Sequence, residues 1–446
     1  MNSKLNWLRL SPPQILVLGF AAIIFIGTAL LMLPISTSTG EPLEFIDALF
    51  TSTSATCVTG LVVVDTGTTF SSFGEVVIMM LIQIGGLGFM TMATLFALAL
   101  KRRISLKDRL ILQEAMNQSS MEGIVRLIRR VLLYSLIIEA CGAVILSIRW
   151  AFDMPIGQAI YYGAFHAVTM FNNAGFDLFG DFRSLTGYVY DPVVNFVVMF
   201  LIVSGGIGFI VLSDLIDFRK QRRLSLHSKV VLTMTATLLL VGFIVILIFE
   251  FTNPRTLGSL NWGGKFFGAL FQSVTPRTAG ANTIDITGLR QATQFFIVIL
   301  MFIGASPGST GGGIKTTTFT IMVGAVIAMM RGREDIVMFR YRLAQERVLK
   351  ALTIALLALL LVLTVSMILS TTEEGSFLEI LFETTSAFGT VGLSMGLTPD
   401  LTGFGKILIS ITMFAGRLGP LTLAYALGPK KGKELYRHPE GKMIIG

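Results

Sequence analysis

Val58-Thr59-Gly60-Leu61 closes an apolar, Ser/Thr-flecked segment preceded by a phenylalanine, and three later stretches repeat the phrase: Asn173-Ala174-Gly175-Phe176, Thr278-Ala279-Gly280-Ala281 and Thr390-Val391-Gly392-Leu393. The four glycines lie 115, 105 and 112 residues apart. A unit that returns four times implies pseudo-fourfold symmetry about an axis. One glycine loop per quadrant is how a ring of backbone carbonyls replaces an ion's hydration shell. Such a loop visits backbone angles closed to residues with a Cβ and brings four chain segments together, so glycine is needed at its centre. A single copy would read as a helix C-cap; four in register favour a pore.

Composition places the pattern in a bilayer. Hydrophobic residues make up 53% of the 446 and charged residues 14%, against roughly a quarter charged in a soluble domain. Eight runs are long enough to cross about 30 Å of hydrocarbon: Gln14 to Leu33, Glu75 to Leu100, Val131 to Trp150, Pro192 to Leu215, Val231 to Phe251, Thr293 to Met330, Leu349 to Leu369 and Lys406 to Leu427. Between the members of each pair lies a shorter segment, Phe45 to Ala55, Gln158 to Thr169, Phe266 to Val274 and Phe377 to Phe388, of a length that suits a re-entrant half-helix. The expected fold is therefore an all-α polytopic membrane protein of four repeats: outer helix, pore half-helix, filter loop, inner helix. The repeats divide the chain into residues 1–100, 101–216, 217–348 and 349–446. Cys57 and Cys141 sit in apolar segments where a disulfide is not expected.

Twenty-six of the 35 Lys and Arg residues fall in the terminal segments and the joints between repeats, which the positive-inside rule places in the cytoplasm together with both termini. Carboxylates such as Asp47, Asp65, Asp177, Asp285 and Asp400 flank the filter loops on the other side. The net charge of +8 then reflects topology and lipid headgroups, not a nucleic-acid partner. His166, His227 and His438 are scattered, and no spacing supports a transition-metal site or an acid–base constellation. An organic cofactor is not expected.

Two irregularities break the repetition. Residues 304–319 read GASPGSTGGGIKTTTF, with Gly304, Gly308, Gly311, Gly312, Gly313 and Pro307 inside a segment otherwise apolar enough to span; a continuous helix cannot survive them. Ser306, Ser309 and Thr310 can face water there, since irregular backbone at membrane depth belongs beside a cavity, and Lys315 opens the helix that follows. Ile314 stands where a phosphate-binding loop requires lysine, which argues against nucleotide binding. Arg417 lies in the middle of the last inner helix, whereas the matching glycine-rich sites of the first two repeats, Gly85-Gly86-Leu87-Gly88 and Gly205-Gly206-Ile207-Gly208, are neutral. An arginine at that depth must be paired or wet, and hydrogen bonds to the carbonyls or hydroxyls of the 304–319 loop are the expected partners. Only the third inner helix is expected to break. The pairs Gly85-Gly86 and Gly205-Gly206 are expected to let inner helices cross closely. Glu139 is expected to make a structural polar contact, and Arg277, Asn172 and Asn173 to brace the filter loops.

The repeated architecture, with Val58-Thr59-Gly60, Asn172 to Phe176, Thr275 to Gly280 and Ala387 to Gly392, resembles the Trk/Ktr/HKT superfamily of cation transporters over essentially the whole chain. With eight spans it looks most like the membrane subunit of a bacterial Ktr potassium-uptake system. The resemblance implies channel-like K⁺ uptake across the bacterial plasma membrane, with a filter of Val58, Thr59, Gly60, Asn173, Ala174, Gly175, Thr278, Ala279, Gly280, Thr390, Val391 and Gly392. It implies an intramembrane gating loop over residues 304–319 beneath that filter, with Arg417. It also implies a homodimer on a cytosolic RCK-type ring that binds ATP and ADP, with Na⁺ dependence. The basic loops Lys101 to Arg109, Arg219 to Lys229 and Arg331 to Arg347 are candidate docking surfaces for that ring. Ala281 departs from the pattern, where a larger side chain analogous to Phe176 is expected. A Na⁺-coupled symporter or Na⁺-permeable relative stays open, as does, remotely, a membrane enzyme using the Gly-rich loop.

Overall fold

The computed structural model describes residues 11–88, 91, 110–113 and 124–427. Apolar composition sets the outer helices: Pro12–Leu31, Ile124–Trp150, Leu226–Glu250 and Gln345–Thr372 contain the four segments among the described residues that are long and apolar enough to cross a bilayer as single helices. Each is followed by a shorter helix, Phe45–Cys57, Ile156–Phe171, Trp262–Val274 and Phe377–Gly389, which ends at a glycine-centred loop. These stand where the sequence places the pore half-helices and are called pore helices for that position. The inner helices then run over Ser72–Leu87, Pro192–Gly206, Gln291–Phe302 and Gly403–Leu418.

The inner helices correct the sequence expectation. Breaks occur in more than the third repeat: Pro192–Gly206 and Phe209–Arg219 meet at 102°, and Gly403–Leu418 and Pro420–Ala426 at 95°. The first inner helix ends at Leu87, before Gly88 at φ +84°. The cause is a glycine at the same offset in each, since Gly88, Gly208 (φ +93°) and Gly419 (φ +85°) all adopt the left-handed region that stops a helix. The spacing Gly85…Gly88, Gly205…Gly208 and Gly416…Gly419 carried that signal. Counting each bent pair as one span gives up to six crossings among the described residues. Residues 89–90 and 92–100 of the expected second span, and the Lys101 to Arg109 loop, lie outside them.

The four units close on themselves. The inner helix of each packs against the pore helix of the next, one to two, two to three, three to four, and four back to one. Lys406 and Asp47 form an ion pair of 2.7 Å across the last seam. Buried carboxylates also staple helix ends that the sequence left unassigned. Glu250, ending the third outer helix, accepts hydrogen bonds from the Arg290 backbone N–H (2.9 Å) and the Thr293 hydroxyl at the start of the third inner helix. Glu373 does the same for Thr402 in the fourth unit, at 2.7 Å from the backbone N–H and 2.6 Å from the hydroxyl. Orphan N–H groups at a helix start are satisfied this way.

Candidate functional site: a four-loop ring and the segment beneath it

The four glycine loops meet as one closed ring. A Cβ built on Gly60 would stand 2.2 Å from the Ala174 carbonyl oxygen, one on Gly175 2.5 Å from that of Ala279, one on Gly280 2.5 Å from that of Val391, and one on Gly392 2.3 Å from that of Thr59. Each glycine therefore touches the carbonyl preceding the next, and the circuit returns to its start. All four have positive φ, between +68° and +90°. Two residues earlier, Val58 (φ +60°), Asn173 (+60°), Thr278 (+73°) and Thr390 (+51°) are left-handed as well. Three of these are β-branched, for which the conformation is an outlier; strain of this kind persists where the surroundings over-determine it, and it clusters at functional sites.

Pore-helix ends hold the loops in place. The Ser54 and Ser386 hydroxyls accept from the N–H groups of Gly60 (3.0 Å) and Gly392 (3.1 Å), and the N–H groups of Thr59, Ala174 and Val391 donate to the carbonyls of Ser54, Thr169 and Ser386. The third quadrant departs, since Ala279 N–H donates to Thr275 and the Thr275 hydroxyl to the Ala281 carbonyl. Ala281 is fully buried in one cluster with Phe271 and Val274. Cys57 is buried beside Phe50 and Leu61.

The segment from Gly304 to Lys315 lies against the ring and is bonded to units two and four, and Arg417 links it to unit one. Ser306 and Thr310 N–H groups donate to the Gly206 and Gly205 carbonyls of unit two, at 3.0 and 3.3 Å. Gly312 N–H donates to the Thr390 hydroxyl of unit four at 2.8 Å. A Cβ on Gly311 would sit 2.0 Å from Thr278 Oγ1. Arg417 then binds three carbonyls at once: Thr310 in the segment, and Gly85 and Gly86 of unit one, the last at 3.0 Å. Lys315 Nζ donates to the Gly311 carbonyl (2.6 Å) and the Gly312 carbonyl (3.4 Å).

Two residues sit differently from the expectation. Ser306 and Thr310 are fully buried, Ser306 against the Thr316 hydroxyl at 2.9 Å, and only Ser309 of the three hydroxyls reaches a cavity. The backbone explains it. The glycines let the segment lie flat against the inner helices, so its hydroxyls find protein partners.

The glycine pairs also have other neighbours than expected. Cβ atoms on Gly85, Gly205 and Gly416 would meet the carbonyl oxygens of Thr56, Phe171 and Phe388 at the pore-helix ends, at 1.8 to 1.9 Å. They admit inner helix against pore helix, not inner against inner. Gly304, their counterpart in unit three, meets the segment's own Gly312 carbonyl instead.

The bracing network is partly new. Glu139 accepts from Gln83 Nε2, at 3.2 Å to each oxygen, and from Asn172 Nδ2 at 3.2 Å, while Asn172 also donates to Gln83 Oε1 at 2.8 Å. Three units of structure, the first inner helix, the second outer helix and the second filter loop, are thus tied by one buried cluster; Gln83 gave no sequence signal because a lone amide on an apolar helix has no recognisable spacing. Asn173 and the Thr278 hydroxyl lie 3.1 Å apart. Arg277 does not brace a loop. It is 6% exposed with Nη1 unpaired, beside a cavity of about 10 Å³ that also takes in Thr235, room for a single water bridging the two.

One cavity lies on each side of the ring. The outer one, about 370 Å³, is lined by Gly60, Gly175, Gly280 and Gly392 together with Asp65, Asp177 and Asp285. The inner one, about 260 Å³, is lined by Gly308, Gly311, Gly313, Lys315 and Arg417. The 304–315 segment separates them.

A closed fourfold ring of positive-φ glycines at the ends of four short helices, with carboxylates lining the cavity on one side and a broken inner helix on the other, places the chain in the class of membrane cation-transport proteins. The chain matches the family model described as TrkH, cation transport protein, over residues 11–430, and it belongs to that family of transport proteins, which are not enzymes. It is 47% identical over 445 residues to the Ktr system potassium uptake protein B of Bacillus subtilis, covering all of this chain and 99% of that protein. It is 42% identical to the potassium/sodium uptake protein NtpJ of Enterococcus hirae, covering 98% of each chain, and 41% identical to the Ktr system potassium uptake protein D of Bacillus subtilis, again covering 98% of each. The crystal structure of the potassium transporter TrkH from Vibrio parahaemolyticus shares the fold, with a TM-score of 0.74 at 19% identity over 96% of this chain and 86% of that one.

Proposed function

We propose that this chain is the pore-forming subunit of a bacterial potassium-uptake system in the plasma membrane, with both termini in the cytoplasm. Dehydrated K⁺ is coordinated by carbonyls of the four loops centred on Gly60, Gly175, Gly280 and Gly392. The segment 304–319 is a gate that obstructs the cytoplasmic half of the path until it moves. The observation that carries the reading is the closed glycine ring with that segment bonded beneath it. Full-length identity of 47% to a potassium uptake protein supports the ion. The membrane potential supplies about 2.3 kcal/mol per charge per 100 mV.

The four-glycine ring carries one glycine per loop, so it offers fewer carbonyl layers than a longer filter and selects less exclusively. Na⁺ dependence of K⁺ uptake belongs to the same proposal, supported by the potassium/sodium uptake relative. Chains pair as homodimers and dock on a cytosolic RCK-type ring that binds ATP and ADP; the gate, which has no nucleotide site of its own, needs such a controller. The test is uptake of Rb⁺ into proteoliposomes with K⁺ and Na⁺ as competitors, with and without internal Na⁺. K⁺ should compete at least tenfold better than Na⁺. Equal competition by the two ions would refute a potassium filter, and Rb⁺ flux that demands stoichiometric Na⁺ would make the protein a symporter.

The vestibule adds a pH prediction. Burial raises the Asp177 carboxyl to about 7, the Phe179 N–H at 3.1 Å opposes that, Asp65 adds to it and Arg183 lowers it. Because the folded value is raised, Asp177 is charged above pH 7 and neutral below it. Uptake at subsaturating K⁺ should fall by roughly two- to fivefold as external pH drops from 8 to 6, the effect of up to about 1 kcal/mol of screened attraction. Asp177→Asn should hold uptake at the acid level throughout; a variant that keeps the full pH response removes Asp177 from the explanation.

A further inference from the structure

Away from the pore, a groove of about 310 Å³ opens between the first turns of the third outer helix and the last turns of the helix Thr316–Met330. Val230 and Met234 line one wall and Val323 and Ile327 the other. Its end is closed by the short antiparallel hairpin Val337–Met338/Tyr341–Arg342, whose Met338 packs on Gly324. At the mouth stand Arg331 and Arg333, both exposed. The nearby carboxylate Asp335 is already taken by Arg342, 2.7 Å away, and neither mouth arginine has an ion-pair partner among the described residues.

Depth settles what such a mouth meets. The helix Thr316–Met330 begins at the gate and runs 15 residues, about 22 Å at 1.5 Å per residue. From a start near the middle of the hydrocarbon, that carries Arg331 and Arg333 to the headgroup layer on the basic face. An apolar groove that opens sideways between two helices, with two unpaired arginines at headgroup level, fits a phosphodiester above and an acyl chain below.

We propose that this groove is a binding site for an anionic phospholipid, with the phosphodiester on Arg331 and Arg333 and one acyl chain between the two helices. The site rests on the membrane orientation proposed above. Its occupant touches the helix that leads directly out of the gate, so the lipid bears on the same element that must move for the pore to open.

The test is retention of phosphatidylglycerol by the delipidated full chain, measured by native mass spectrometry against phosphatidylcholine, with Rb⁺ flux of the same preparations recorded separately. Arg331→Gln/Arg333→Gln should weaken phosphatidylglycerol retention about 25-fold, from roughly fivefold per arginine at an anionic surface. The charge-matched control Arg219→Gln/Arg347→Gln should retain it, and glycerol phosphate should not displace it. Equal loss in the control would reduce the effect to general surface charge and overturn the site. Displacement by glycerol phosphate would make it a free phosphate site and overturn the lipid. Unchanged retention with an altered oligomeric state in light scattering would make the groove a contact between copies, and also overturn it. Flux by the wild type is read independently, so failure of the lipid site leaves the transport reading standing, and the reverse.

Discussion

Gly280→Ser is expected to cut Rb⁺ uptake at least tenfold and to erode discrimination against Na⁺, in protein that folds and purifies like the wild type. Two costs act together. A serine at φ +77° costs about 1–2 kcal/mol relative to glycine. Its Cβ would also fall 2.5 Å from the Val391 carbonyl oxygen and 3.1 Å from Gly392 Cα, so a neighbouring loop must move. In the proposed filter the carbonyl that moves is one of those replacing the hydration shell, and its displacement by tenths of an ångström would change the coordination distance on which the ions differ. The effect is read on flux and on the K⁺/Na⁺ competition ratio, with a thermal unfolding midpoint as the check on folding. Wild-type flux and ratio together would remove the glycine ring from the permeation path.

Arg417→Ala is expected to do the opposite and raise flux through the chain assayed without any cytosolic partner. Arg417 lies outside the segment proposed as the gate and ties it to another unit, donating to Thr310 in the segment and to Gly85 and Gly86 of unit one. A hydrogen bond from a charged group is worth about 1.5–3 kcal/mol, so loss of the single bond to Thr310 shifts the closed-to-open balance by about tenfold or more. Lys315→Met separates this from a general effect of removing positive charge near the path. Lys315 binds carbonyls of the segment itself, Gly311 and Gly312, so it shapes the gate without fastening it to another unit, and its removal should move flux less. Flux at or below wild type in Arg417→Ala, with the unfolding midpoint retained, would show that the clamp does not hold the path shut.

How much of this was readable in the chain depends on the kind of signal. The four short helices and their glycine loops announce themselves because their pattern recurs four times, and Gly60, Gly175, Gly280 and Gly392 sit where the repetition puts them in one ring. Arg417 was conspicuous as a charge in an apolar helix, and its partners in the loop followed from the cost of leaving it alone. Other features were silent. The stops at Gly208 and Gly419 were marked only by the repeated Gly-x-x-Gly spacing, which is easily read as close helix packing, since a positive φ leaves no mark on composition. Gln83 is legible only once Glu139 and Asn172 are placed beside it. The hydroxyls of Ser306 and Thr310 were misplaced because sequence gives the polarity of a segment but not the face it turns to its neighbours.

Because the inner helix of unit four packs on the pore helix of unit one, the ring is closed by a single polypeptide. A pore assembled from four copies of a subunit takes every substitution at four places simultaneously. Here each substitution is a quarter dose. The segment 304–315 meets two threonine hydroxyls, Thr278 and Thr390, whereas the corresponding left-handed positions of the other two quadrants hold Val58 and Asn173. A chain that encodes each quadrant separately can place a hydroxyl in two of them and leave the other two as they are.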